Sequence, residues 1–141
     1  YFIEMLRLTR RSEYGLMALA FLGQRDEYFG SVRHIVDELH VPKRLLAEVL
    51  KDLARKGLVK SSRGPGGGYR LTNAPAEVTL AEVVIALEGP VHVSECDAGA
   101  CSLAPSCRIQ NGIMRIGHEI QGVLKNHTIA DMTSHAQTIT V

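Results

Sequence analysis

The segment ECDAGACSLAPSC, residues 95 to 107, gathers all three cysteines of the chain: Cys96, Cys101 and Cys107. Thiolates are soft ligands and good nucleophiles, so three of them in one short stretch suit three kinds of chemistry. With a histidine they could hold zinc, and His92 is close enough in sequence to serve. They could instead ligate an iron–sulfur cluster, whose irons are held mainly by thiolates and accept a non-cysteine ligand. Or two could join as a disulfide and leave one over, a thiol redox switch. The intervals of four and five residues lack the paired C-x-x-C knuckles common in structural zinc sites. Ala98, Gly99, Ala100 and Pro105 are small or turn-forming and let a loop close round a compact object. Spacing alone leaves the three chemistries open.

The bulk properties bound what surrounds this loop. At 141 residues the chain makes about one domain, and 45% hydrophobic with 22% charged residues is ordinary for a globular protein. No apolar run approaches the roughly 20 residues of a membrane span, and the N-terminus lacks a signal-peptide layout. An odd cysteine count also argues against a secreted disulfide framework. The expectation is a cytoplasmic protein with no membrane partner. Residues 1–4, ahead of Met5, are left out of the fold reading. The six histidines are scattered without an acid, base or nucleophile grouping, which argues against an enzyme.

Net charge is only +1, but it is unevenly laid out. Between Lys43 and Arg70 eight basic residues face two acids, a net +6, leaving −5 on the rest of the chain. That polarity suits a surface facing a polyanion and a separate acidic body, although a charge run is often only a solvated face.

The elements needed to position these groups follow from apolar spacing. Ser12 to Gln24 is apolar at helical intervals through Leu16, Met17, Leu19, Ala20 and Phe21, with Thr9 or Ser12 available as N-cap. Ser31 can cap a short second helix built on Val32, Ile35, Val36 and Leu39. After a turn at His40 and Val41, Pro42 opens a third helix. Leu45, Leu46, Val49, Leu50 and Leu53 form its buried stripe, Lys43, Arg44, Ala47, Glu48 and Lys51 lie on the other side, and Gly57 ends it. Two short amphipathic helices joined by a tight turn, the second with a basic outer face, make a helix-turn-helix. Two strand-like runs follow, Leu58 to Ser61 and Tyr69 to Thr72, around a Gly/Pro loop. A hairpin in that place makes a winged helix.

The loop lacks the G-x-x-x-x-G-K-[ST] pattern of a nucleotide-binding turn, and no helix follows it closely. Arg63 beside Gly66 and Gly67 suits insertion into a narrow minor groove instead. On the third helix Lys43 and Arg44 are candidates for phosphate and base-edge contacts, with Glu48 able to accept from cytosine.

Thr79 and Glu82 form a T-x-x-E capping box ahead of a helix that stops at Gly89. Beyond the cysteines, Ile109, Ile113, Ile116, Ile120 and Val123 recur at four, three, four and three, the seam of a helix packing along another helix. We read it as a dimerisation helix, the plainer reading being a core-facing helix. The tail from His127 shows little pattern, and order is expected to fade beyond Met132. The expected fold is mainly α with a small β-hairpin wing, a winged helix-turn-helix plus a long C-terminal dimerisation helix. The divisions are 5–73 for DNA binding, 74–95 for a connecting helix and linker, 96–107 for the cysteine loop, 108–126 for dimerisation and 127–141 for the tail.

Several stretches together carry a family resemblance. They are Arg7-Leu8-Thr9, GLVKSSRGPGGGYRL from Gly57 to Leu71, the helix start LAEVV, the three-cysteine loop and TIADM from Thr128 to Met132. The chain resembles the IscR/NsrR/RirA family of bacterial iron–sulfur transcription regulators, also called the Rrf-two family, over nearly its whole length. The resemblance implies a homodimeric winged-helix repressor or activator on double-stranded DNA with a palindromic operator. It further implies a 4Fe–4S or 2Fe–2S cluster near each crossing of the long helices, with Cys96, Cys101 and Cys107 at the cluster-thiolate positions. The first cysteine interval is one residue shorter than in the commonest members. Gln110 stands where IscR-type members carry a histidine ligand, whereas Glu13 matches the acidic ligand that NsrR-type members take from the partner's first helix. As an alternative to ligation, Glu13 is a surface glutamate favoured in a helix's first turn. Ala47 replaces a discriminating glutamate of IscR, so operator preference does not transfer.

The resemblance leaves the signal open among redox state, nitric oxide and iron supply. It implies that cluster loss loosens the loop and shifts the spacing of the two winged helices on the operator. Zinc or free-thiol sensing on the same fold, and a cluster carrier that does not bind DNA, are the alternatives.

Overall fold

The computed structural model describes residues 7–25, 29–92 and 107–134. Helix α1 (Arg10–Gly23) starts where the Thr9 side chain accepts the Ser12 N–H at 3.1 Å. Thr9 is therefore the cap, and Ser12, the other candidate, lies buried inside the helix. Leu16, Ala18, Leu19, Phe21 and Leu22 enter the core, but Met17, expected on that stripe, is exposed. Gly15 brings α1 close to a later helix: a Cβ there would sit 2.6 Å from Leu87 Cδ1.

Helix α2 (Val32–Leu39) is capped by Ser31, which accepts the His34 N–H at 3.1 Å. His40 closes it in the left-handed region, φ 56°, unusual for a residue with a side chain. Three residues, His40 to Pro42, separate α2 from the next helix. Pro42 is extended and precedes α3 (Lys43–Arg55) instead of lying in its first turn. Leu46, Val49, Leu50 and Leu53 of α3 are wholly buried. Gly57, at φ 82°, ends α3 with two bonds, its own N–H to Ala54 O at 3.0 Å and Leu58 N–H to Leu53 O at 2.9 Å. That pairing is a Schellman motif, which needs a residue tolerant of positive φ.

Strands β1 (Val59–Ser62) and β2 (Gly68–Leu71) form the antiparallel hairpin, Val59 opposite Leu71 and Ser62 opposite Gly68. Each strand is displaced by one residue from the expected bounds. Gly30 adds a third edge that the sequence did not reveal, exchanging two 2.8 Å backbone bonds with Tyr69. Only glycine fits the adjoining position, because a Cβ on Gly68 would meet Gly30 O at 2.3 Å.

A 3₁₀ turn (Pro75–Glu77) leads to α4 (Leu80–Glu88), which opens with the full reciprocal box between Thr79 and Glu82, both bonds 3.1 Å. Helix α5 (Gln110–Asn126) packs along α4, and the Gln121 amide donates to Val91 O at 2.8 Å. After α5 the chain forms a short helix that the sequence pattern did not show. His127 O accepts Leu80 N–H and Val78 O accepts Ile129 N–H, each at 2.9 Å, and α6 (Ile129–Ser134) then packs on α1. Thr128 and Asp131 cap α6 reciprocally at 2.9 and 3.2 Å. Ile129 is 1% exposed and joins the same core as α1, α3 and α4, so the tail closes the fold. Residues 135–141 lie outside the described residues. No helix among the described residues is long and apolar enough to cross a membrane.

Candidate nucleic-acid interface and thiol site

The outer face of α3 is polar because its inner face is fully spent on the core. Lys43, Arg44, Glu48 and Lys51 are exposed, and Ala47 between them is half-buried. Arg44 is 95% exposed and pairs with its helical neighbour, Nε lying 3.9 Å from Glu48 Oε1. A pair this open is worth little, about 0.3–0.5 kcal/mol, so both groups can be redirected to a ligand at small cost. The wing tip carries Arg63 and Gly66 exposed and Gly67 half-buried. A Cβ on Gly67 would collide with Ser62 O at 2.4 Å, so the tight tip depends on bare backbone there. The base of the wing is stiffened where the Arg70 guanidinium lies 5.0 Å from the Phe29 ring centroid.

At the thiol site, Cys107 is half-buried just ahead of α5. Cys96 and Cys101 lie outside the described residues. Glu13 sits in the first turn of α1, its side chain 37% exposed and 3.4 Å from Arg10 Nη1. It rims a shallow groove with Leu8, Leu16, Met17, Ala20 and Met132, which Cys107 does not line. Gln110 begins α5, and His92 is exposed beside Glu88 in a cleft against Ile120. Among the described residues no three His, Cys, Asp or Glu side chains converge as a metal site.

The expected seam on α5 divides into two columns. Ile113 and Ile120 are half-buried. Ile109, Ile116 and Val123, seven residues apart, are 64%, 48% and 56% exposed. Ile109 itself is the N-cap, not a helical residue. The single seam read from sequence is therefore one column for the chain's own fold and one that the described residues leave bare.

Residues 8–135 match the Rrf2 family, described as an iron-dependent transcriptional regulator. The chain belongs to the Rrf2 family. Among solved structures it is similar to CymR, the global cysteine regulator of B. subtilis, at 29% identity and TM-score 0.73, over 94% of this chain and 99% of that one. It is similar to T. potens IscR at 26% identity and TM-score 0.72, over 96% and 94% of the two chains. The oxidised form of Staphylococcus aureus CymR shares the fold at 22% identity and TM-score 0.73, over 94% and 100%.

Rrf2 regulators bind DNA, and α2, α3 and the hairpin follow one another in the order of a winged helix. Three contributors to the Rrf2 scaffold escaped the sequence reading. The Gly30 bridge and the Phe29–Arg70 stack join residues about forty positions apart, a pairing that no local pattern announces. The third is Arg11, whose guanidinium contacts Asp52 of α3 and lies 3.8 Å from Glu88 of α4. Its type and place in a first turn gave no signal of two partners so distant in sequence.

Proposed function

We propose that this Rrf2 regulator is a cytoplasmic homodimer that binds a palindromic operator and reads redox state, nitric oxide or iron supply through an iron–sulfur cluster. The carrying observation is the position of the thiols. Their segment is spliced between the end of α4 and the start of α5, with Cys107 half-buried at the splice. Three thiolates from so short a segment form a donor set of the kind such clusters take. Cys96, Cys101 and Cys107 would hold it, and Glu13 of the partner subunit would complete it. Trans ligation draws on a Glu13 carboxylate that is 37% exposed and lines a groove that Cys107 does not. When bound, the cluster supplies a redox- and ligand-sensitive iron centre.

The chain's own residues do the rest. Ile109, Ile116 and Val123 provide the apolar column that a second α5 covers. Lys43 and Lys51 meet phosphates, Arg44 and Glu48 meet base edges, and Arg63 with Gly66 and Gly67 enters the minor groove. Because each half-site must meet its recognition helix about one DNA turn from the other, a small change at the dimer axis alters specific binding.

Anaerobic purification followed by iron, acid-labile sulfide and visible absorption measurement tests the reading. The expected result is a brown protein with roughly equal iron and sulfide, and a colourless Cys101→Ala variant that keeps its fold. A second reading, zinc or free-thiol sensing on the same fold, draws on the likeness to the B. subtilis global cysteine regulator. A protein colourless after reconstitution, holding zinc or no metal, would establish it instead.

A further inference from the structure

Arg11 projects from the first turn of α1 and addresses two carboxylates on two other helices. One is Asp52 of α3, bonded through Nη2, and the other is Glu88, the last residue of α4, 3.8 Å from Nε. The three side chains are 32%, 25% and 30% exposed, so the cluster is half-sheltered rather than a loose surface pair. Both carboxylates have a second hold: Asp52 Oδ1 lies 3.2 Å from Arg55 Nη1, and Glu88 accepts the Thr9 hydroxyl. A guanidinium is a planar fork with donors fixed in direction, so it couples the orientations of the groups it bridges more rigidly than an ammonium would.

The two ends of this bridge are the two ends of the regulatory problem. Glu88 is where the chain leaves α4; Gly89, at φ 85°, turns it toward the cysteine segment. Asp52 lies one helical turn beyond Glu48 and two beyond Arg44 on α3, where the base-edge candidates are. Resting on the cysteine-loop sensing proposed above, we infer that Arg11 is a positioning residue that transmits the state of that loop to the recognition helix. A displacement of the α4 end acts on a guanidinium that is hydrogen-bonded to Asp52 of α3 and ion-paired with Glu88 at 3.8 Å. Either α3 follows or one contact breaks.

The test compares operator affinity in two loop states. Native protein and Arg11→Met, full chain, are titrated by fluorescence anisotropy against a duplex enriched from a random-sequence library. Each is measured as the iron-loaded form and the chelator-treated form. If the native protein carries no iron, reduced and maleimide-alkylated protein supply the two states, so absence of a cluster is registered separately and the relay is still tested. The native ratio of affinities between states is expected to be about tenfold, within the usual range of allosteric coupling, and that of Arg11→Met about one. Iron content and helical circular dichroism are expected to stay native. Asp52→Asn and Glu88→Gln, which keep shape and remove charge, carry the same expectation if Arg11→Met fails to fold. Equal weakening of both states with the native ratio preserved would reduce Arg11 to a structural staple and overturn the proposal. So would a native protein whose affinity does not depend on loop state.

Discussion

Arg63 is exposed in a wing turn rich in glycine, which is why one truncation there isolates the wing's part in binding. Arg63→Ala is expected to weaken operator binding by about 1–3 kcal/mol. The iron and sulfide content should be unchanged, because the tip is remote in sequence from the thiols. Anisotropy titration of the variant with native absorption checks this, and an unaltered affinity would remove the wing from the interface. Gly68 makes the complementary case for stability. It combines φ 152° with a backbone oxygen 2.3 Å from any added Cβ, and that oxygen belongs to the bridge between Gly30 and Tyr69. Gly68→Ala should therefore cost about 1–3 kcal/mol, the usual range for forcing atoms into a packed site. Urea denaturation followed by circular dichroism measures it, and a midpoint within error of native would show that the bridge yields.

Elements were legible where a local signal specified them. Thr9, Ser31 and Thr79 all cap as their side-chain chemistry requires, and Gly57 ends α3 because a left-handed residue closes a Schellman motif. Helix α6 carries the same T-x-x-acid signature at Thr128 and Asp131. It escaped notice because six residues are too short to show apolar period, and its stability comes from burying Ile129 against distant helices. The α5 seam was legible as a repeat and not as two columns. A 3-4 repeat marks all five apolar positions alike, and only the packing of α4 decides which column is taken. The site was half-legible for the same reason: thiols and basic face show in sequence, whereas the pairing of Arg11 with Asp52 exists only after folding. The split predicts distinct mutant behaviour. Ile116→Asp with Val123→Asp should turn a dimer into a folded monomer by sedimentation velocity, since both positions are exposed in one chain. Ile120→Asp, placed between α5 and its own chain, should lower the melting temperature instead. A doubly substituted protein that remains dimeric would move the interface off this column.

Across the whole molecule, charge is the property that joins interface to function. The stretch from Lys43 to Arg70 carries a net +6 in a chain of net +1, so basic charge gathers on α3 and the wing while the rest of the chain sums to −5. A charge layout divided in this way orients the protein toward the duplex as well as attracting it. Two such units in a dimer would displace counterions from both half-sites at once. For about 6–10 phosphate contacts, affinity should fall by about three to five orders of magnitude between 50 and 200 mM salt. Lys51→Ala, which removes one contact in each protomer, should flatten the log–log slope by about 2 without altering the preferred sequence. Arg44→Ala should relax the preference at one position of each half-site instead. Anisotropy titrations across a salt series, with the enriched duplex and a scrambled one, separate the two effects. A cluster carrier without a DNA face would bind neither duplex at any salt, and a slope near zero for the native dimer would refute the assignment of α3 and the wing together.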